Sequence, residues 1–82
     1  MSATIYYQAG KGKALDVGAP SSFMGALRRA FGHDGPWTLT DHDYYVLHGL
    51  AAGLSSEDQQ RACDELAEAA MRYGEIRVWP EY

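Results

Sequence analysis

The two ends of this chain read as strands, and three helical stretches lie between them. Residues 4–9, TIYYQA, are rich in aromatic side chains and begin with the β-branched pair Thr4 and Ile5. Residues 75–79, EIRVW, alternate polar and apolar, the period of a half-buried strand, and Pro80 is expected to end it. Strand backbones need partners for their N–H and C=O groups. Pairing the two ends with each other is the economical solution. Residues 14–17 lie between Gly12 and Gly18 and read either as a second short strand or as loop, with 10–13 as the turn before them. The expected fold class is therefore α+β: a small two- or three-stranded antiparallel sheet formed by the chain termini, packed on three helices, in the order β-(β)-α-α-α-β. Ile76 and Val78 are expected to face the helices. Arg77 and Trp79 are expected on the other face, beside a tyrosine of the first strand.

The helices are legible from their periods and ends. Pro20, Ser21 and Ser22 open the first, where Phe23, Leu27 and Phe31 recur every four residues and Gly32 stops the run. Arg28 and Arg29 sit near its end, where cations suit the dipole. Thr40 with Asp43 has the form of a capping box, followed by a helix over 41–52. That helix is expected to bury Tyr44, Leu47, Ala51 and Leu54, widened by Val46 and Leu50, with Leu39 packing back toward Tyr44. Ser55 or Ser56 caps the third helix. Cys63, Leu66, Ala67, Ala70 and Met71 form its expected core side, and Gly74 ends it.

A chain of 82 residues makes one domain, spanning 1–82. Cys63 is its single cysteine, so no disulfide framework within the chain is available. No leader pattern and no apolar run of about 20 residues is present. The expected setting is the cytoplasm, with no membrane contact.

Charge is the feature that bears on function. Residues 1–33 hold Lys11, Lys13, Arg28 and Arg29 against one acid, Asp16; residues 34–82 hold three arginines against ten acids. The segments carry about +3 and −7, an asymmetry that acts on recognition and association rate rather than on fold. Glu57, Asp58, Asp64, Glu65 and Glu68 put five carboxylates on the third helix with only Arg61 among them. They form a candidate docking face for another protein, most suitably a basic one. Lys11, Lys13, Arg28 and Arg29 form a candidate anion-binding patch. GKGK at 10–13 lacks the GxxxxGK[ST] spacing of a phosphate loop. The overall −4 charge disfavours nucleic acid. Trp79 and Tyr82 are candidate interface anchors, in a homodimer or with another partner. Asp41, His42, Asp43 and His48 are the densest set of proton carriers and ligands, but two histidines six apart on a helix do not face one site. Cys63, beside Asp64, reads as an inert core thiol.

The leading expectation is a small non-enzymatic accessory protein, of the inhibitor or immunity type found in bacteria and phages, that binds a protein through its acidic face and needs no cofactor. Two alternatives stand beside it. One is a nucleic-acid-associated regulator using the basic patch. The other is a minimal metal protein or enzyme centred on residues 41–48.

Overall fold

The terminal strands pair as their sequences require. In the computed structural model, which describes residues 3–82, β1 (Thr4–Gln8) and β4 (Glu75–Glu81) are antiparallel neighbours at the middle of the sheet. Tyr6 lies opposite Trp79, Tyr7 opposite Val78 and Gln8 opposite Arg77. Residues 14–17 do supply a strand, reduced to β2 (Leu15–Asp16), which pairs with the outer side of β1. The hairpin turns at Gly10, whose φ of +56° is open to glycine at no steric cost.

The sheet has a fourth strand that the sequence outline lacked. β3 (Trp37–Thr40) lies along the other side of β4, with Trp37 opposite Val78 and Thr40 opposite Glu75, giving the order β2-β1-β4-β3. Its four residues carry only two apolar positions, Trp37 and Leu39, too few to show a period between the turn before it and the cap after it. Pro80 does not end β4, which continues to Glu81. β3 is paired only as far as Val78, so at Pro80 the strand has β1 alone as neighbour. Proline is tolerated at such an edge position.

α1 (Phe23–Phe31), α2 (Tyr44–Ala52) and α3 (Glu57–Tyr73) share one core with the sheet. Ile5, Tyr7, Trp37, Leu39, Ile76 and Val78 point into it, packed with Phe23, Leu27, Leu47 and Leu66. The alternate residues, among them Tyr6, Gln8, Thr38, Arg77 and Trp79, lie on the opposite sheet face and keep contact with solvent. Ile76 and Val78 thus face the helices, and Tyr6 is the tyrosine beside Trp79.

The helices depart from expectation in three places. Residues 41–43 form a 3-10 turn before α2 begins, held by the capping box: Thr40 Oγ1 accepts from the His42 N–H at 3.2 Å, and the Asp43 carboxylate accepts from the Thr40 N–H at 2.8 Å. In α2 only Leu47 is fully buried; Tyr44, Leu50, Ala51 and Leu54 are half-buried and Val46 is exposed. This short helix packs chiefly against α3, so a narrow strip of it is covered. In α3, Met71 is exposed, while Ala62 and Ala69 join Cys63, Leu66, Ala67 and Ala70 in the core. Alanines at this many contact positions let α3 approach its neighbours closely, and Met71 falls off that side of the helix.

Ser56 is the α3 cap, its Oγ accepting from the Gln59 N–H. Ser22 makes no cap bond of its own. Its Oγ instead accepts from Gln59 Nε2 at 2.7 Å, tying the start of α1 to the first turn of α3. Gly74 ends α3 with φ +81° and leads straight into β4.

Candidate functional site

Two surfaces combine recess, aromatic side chains and charge. The first lies where α3 passes the β2 edge of the sheet. Leu15 pairs opposite Tyr7, which points it to the helix side, but β2 lies at the margin of the sheet and Leu15 stays 45% exposed. Tyr73, in the last turn of α3, is 58% exposed. The two side chains, with the edge of Tyr7, line a pair of adjoining hollows of about 170 and 190 Å³. Glu65, Glu68 and Arg72 rim one hollow, and Lys13 stands at the other. An apolar centre inside a charged rim is the anatomy of a protein-binding patch.

The five acids of α3 divide around this surface. Glu57, Asp64 and Glu68 lie seven and then four residues apart, in one line along the exposed side of the helix. Asp58 is engaged by Arg61 Nη2 at 3.3 Å. Glu65 is half-buried beside Tyr7. The Tyr7 hydroxyl is pushed up to about 12 by burial first, then by hydrogen bonding to Glu65 and by that carboxylate's charge. The acidic face therefore runs into the hollow at Glu65 and Glu68. The sequence identified its charges. Leu15 and Tyr73, its apolar centre, carried no sequence signal beyond their size.

The four cations of the N-terminal segment are not brought together. Lys11 and Lys13 follow Gln8 in the β1–β2 turn, at the end of the sheet where β4 begins. Arg28 forms an ion pair with Asp34, just ahead of β3 and toward the finish of β4. The exposed Arg29 lies beside Arg28 on α1.

The 41–48 segment is also dispersed. Asp43 is turned back onto Thr40 as part of the cap. Asp41 and His42 are exposed, with Asp41 Oδ1 3.8 Å from His42 Nε2. His48 stacks on Tyr44 with ring centroids 5.8 Å apart. Among the described residues, no group of three or more His, Cys, Asp or Glu side chains converges as metal ligands do. Burial pushes the Cys63 thiol up to about 11, with the Asp64 charge adding to it, so almost none of it is thiolate near neutrality.

The second surface is a groove of about 590 Å³ that runs from the uncovered face of the sheet to the open edge of β4 beyond Val78, where Pro80 lies level with Ile5 and the Tyr82 hydroxyl reaches Met24 Sδ of α1 at 3.3 Å. Trp79, Arg77 and Gln8 come from the two central strands; Asp34, Gly35 and Pro36 come from the loop before β3; Pro80 and Tyr82 close one end. Local sequence explains the loop wall. Gly35 has φ +92°, and a Cβ there would meet the Trp37 ring at 3.0 Å. The Trp37 indole N–H donates to the His33 carbonyl at 3.1 Å, so the loop is pinned to a buried side chain. Tyr6 stacks on Trp79 at 6.1 Å, and the Trp79 indole N–H donates to the Glu81 carboxylate at 3.3 Å. The two anchors expected from sequence, Trp79 and Tyr82, thus share one groove. Gln8 and Pro36 were not singled out, and Asp34 counted only among the acids, because only strand pairing brings them level with Arg77 and Trp79.

Compared with protein families, characterised proteins and solved structures, the chain matches none. Among its described residues, no helix is long and apolar enough to cross a membrane.

Proposed function

We propose that this protein acts by binding another protein, and that the contact surface is the α3–β2 face. One observation carries the reading: Leu15 and Tyr73 stand exposed at the centre of a recess whose rim holds Glu65, Glu68, Arg72 and Lys13. An apolar centre set inside a charged rim supports the reading. The partner would offer an apolar side chain to the hollow. It would set basic groups against the row Glu57, Asp64 and Glu68, with the charge row acting mainly on encounter rate. The proposal includes a cytoplasmic location, which the single buried thiol suits.

A nucleic-acid role draws less support. It would need Lys11, Lys13, Arg28 and Arg29 on one surface; the lysines lie in the β1–β2 turn, Arg28 lies on α1, and Arg28 already has a carboxylate partner.

The test is affinity capture from the host's own lysate with the wild type, Leu15→Asp and Glu68→Lys, each checked for an unchanged circular dichroism spectrum. The expected result is a protein held by the wild type at fixed stoichiometry, lost with Leu15→Asp and weakened with Glu68→Lys. Equal recovery by all three folded proteins overturns the assignment of this face. A concentration-dependent dimer that Leu15→Asp dissolves would make the partner a second copy of this chain.

A further inference from the structure

We propose that the groove on the uncovered sheet face binds a small, flat, apolar monocarboxylate, with its charge on Arg77 and its body against Trp79. The site shares no residue with the α3–β2 face, so it stands or falls separately. Its volume of about 590 Å³ lies within the range of about 300–1,000 Å³ usual for small-ligand sites.

The charge pattern selects the ligand. Arg77 is exposed and, among the described residues, makes no ion pair; the side chains directly across from it on both neighbouring strands are neutral, Gln8 and Thr38. The other charged residue lining the groove, Asp34, is taken up by Arg28. One cation with no partner, at the edge of an apolar recess, suits one carboxylate, which a guanidinium can hold through two parallel hydrogen bonds. A polyphosphate or a nucleic-acid strand would bring further negative charge toward Asp34, and toward Asp16, Glu75 and Glu81, which alternate onto the same face of the sheet. Like charges there oppose it.

The walls select the body. The Trp79 indole is set by stacking on Tyr6, which does not itself line the groove, and by its hydrogen bond to Glu81. Its N–H is therefore already engaged, and what it offers a ligand is apolar ring surface. Pro36, Pro80 and Gly35 add apolar wall with no side-chain donor. Gln8 donates its amide N–H to the Gly12 carbonyl, which ties the neutral side chain across from Arg77 to the β1–β2 turn. These positions are fixed in advance by strand pairing and by the loop seated on Trp37, so little ordering is required on binding.

The experiment follows the two indole N–H signals of the full chain by NMR during titration with phenylacetate and, separately, with its neutral isostere phenylacetamide. Trp79 reports the groove, and Trp37, buried and bonded to His33, is the internal control. Phenylacetate is expected to shift the Trp79 signal saturably and leave Trp37 in place, with the amide about tenfold weaker. Arg77→Gln, a change at an exposed position that leaves the core intact, is expected to abolish the preference for the acid. A single-stranded oligonucleotide is expected to leave Trp79 unshifted. The proposal is overturned if acid and amide bind alike, if Arg77→Gln keeps the preference, or if the oligonucleotide displaces phenylacetate. It is also overturned if phenylacetate at about 20 mM leaves Trp79 unshifted, including the case in which Trp79 responds to N-acetylphenylalanylglutamate alone. That last result would assign the groove to a peptide instead.

Discussion

Replacing Tyr7 with phenylalanine is expected to reverse its effect on stability as pH rises. In the folded protein the Tyr7 hydroxyl keeps its proton to about 12, against an ordinary value of 10.0, because it is buried beside the Glu65 carboxylate. Below pH 10 both folded and unfolded chains hold this proton, and the contact with Glu65 contributes its full stabilisation. Between pH 10 and 12 the unfolded chain releases the proton while the folded one retains it, so stability falls as pH rises. The separation is worth about 2.7 kcal/mol when complete, and about 1.4 kcal/mol at pH 11. At pH 7 the phenylalanine variant loses the interaction of the hydroxyl with the Glu65 carboxylate, which is half-buried and can rehydrate, a cost of about 1 kcal/mol. The variant has no phenol to titrate here. The wild type is therefore more stable at pH 7, the two are level close to pH 11, and the variant is more stable above that. Cys63, pushed up to about 11 by burial, makes both proteins less stable from pH 9 upward, but it is common to both and cancels in the comparison. The assay is urea unfolding followed by circular dichroism at pH 7, 9, 10.5 and 11.5. A gap between the midpoints that stays constant across these values refutes the reasoning.

Thr40→Ala should destabilise the protein by about 1 kcal/mol, because it removes the oxygen that accepts from His42 at the start of the 3-10 turn; the readout is the shift in urea midpoint. Leu66→Ala, at a fully buried position of α3, should cost about 2–5 kcal/mol, read as a lowered urea midpoint. A loss under 1 kcal/mol in urea unfolding would show that the centre of this core is not where the packing places it.

The parts of the fold legible in the sequence are those fixed by local repetition. The stripe of Phe23 and Leu27, the alternation through Ile76 and Val78, the Thr40–Asp43 box and the stop at Gly74 each lie within a few residues and each formed as expected. The parts not legible depend on distant neighbours. Trp37–Thr40 carries strand-favouring residues in alternation, but a run of four gains a partner only because β4 presents an open edge. Val46 and Met71 are as apolar as the residues that are buried; only the direction in which α2 and α3 pack leaves them outside. The same division runs through the candidate sites. The acids of α3 were visible as a run, and Trp79 and Tyr82 as aromatics near one end. Arg77 became interesting only when register set the neutral Gln8 and Thr38 directly across from it and, among the described residues, it made no ion pair.

The two proposed surfaces are physically linked through the segment that supplies half of each. Glu65, Glu68, Arg72 and Tyr73 belong to the second half of α3, and Arg77, Trp79, Pro80 and Tyr82 to β4 and the residue after it; Gly74 alone separates helix from strand. Since strand side chains alternate, seating Ile76 and Val78 under the helices forces Arg77 and Trp79 onto the far face. A one-residue slip at Gly74 would bury Arg77 and expose Val78, a change the core cannot accept. The link from helix to strand thus sets the register, and with it the groove. It also fixes Tyr73 at the last turn of α3, beside Leu15. Substitutions pointing outward, such as Arg77→Gln or Glu68→Lys, should therefore act on one surface alone. A change at Val78 or Leu66 should disturb both together, which separates loss of a binding contact from loss of the framework that positions it.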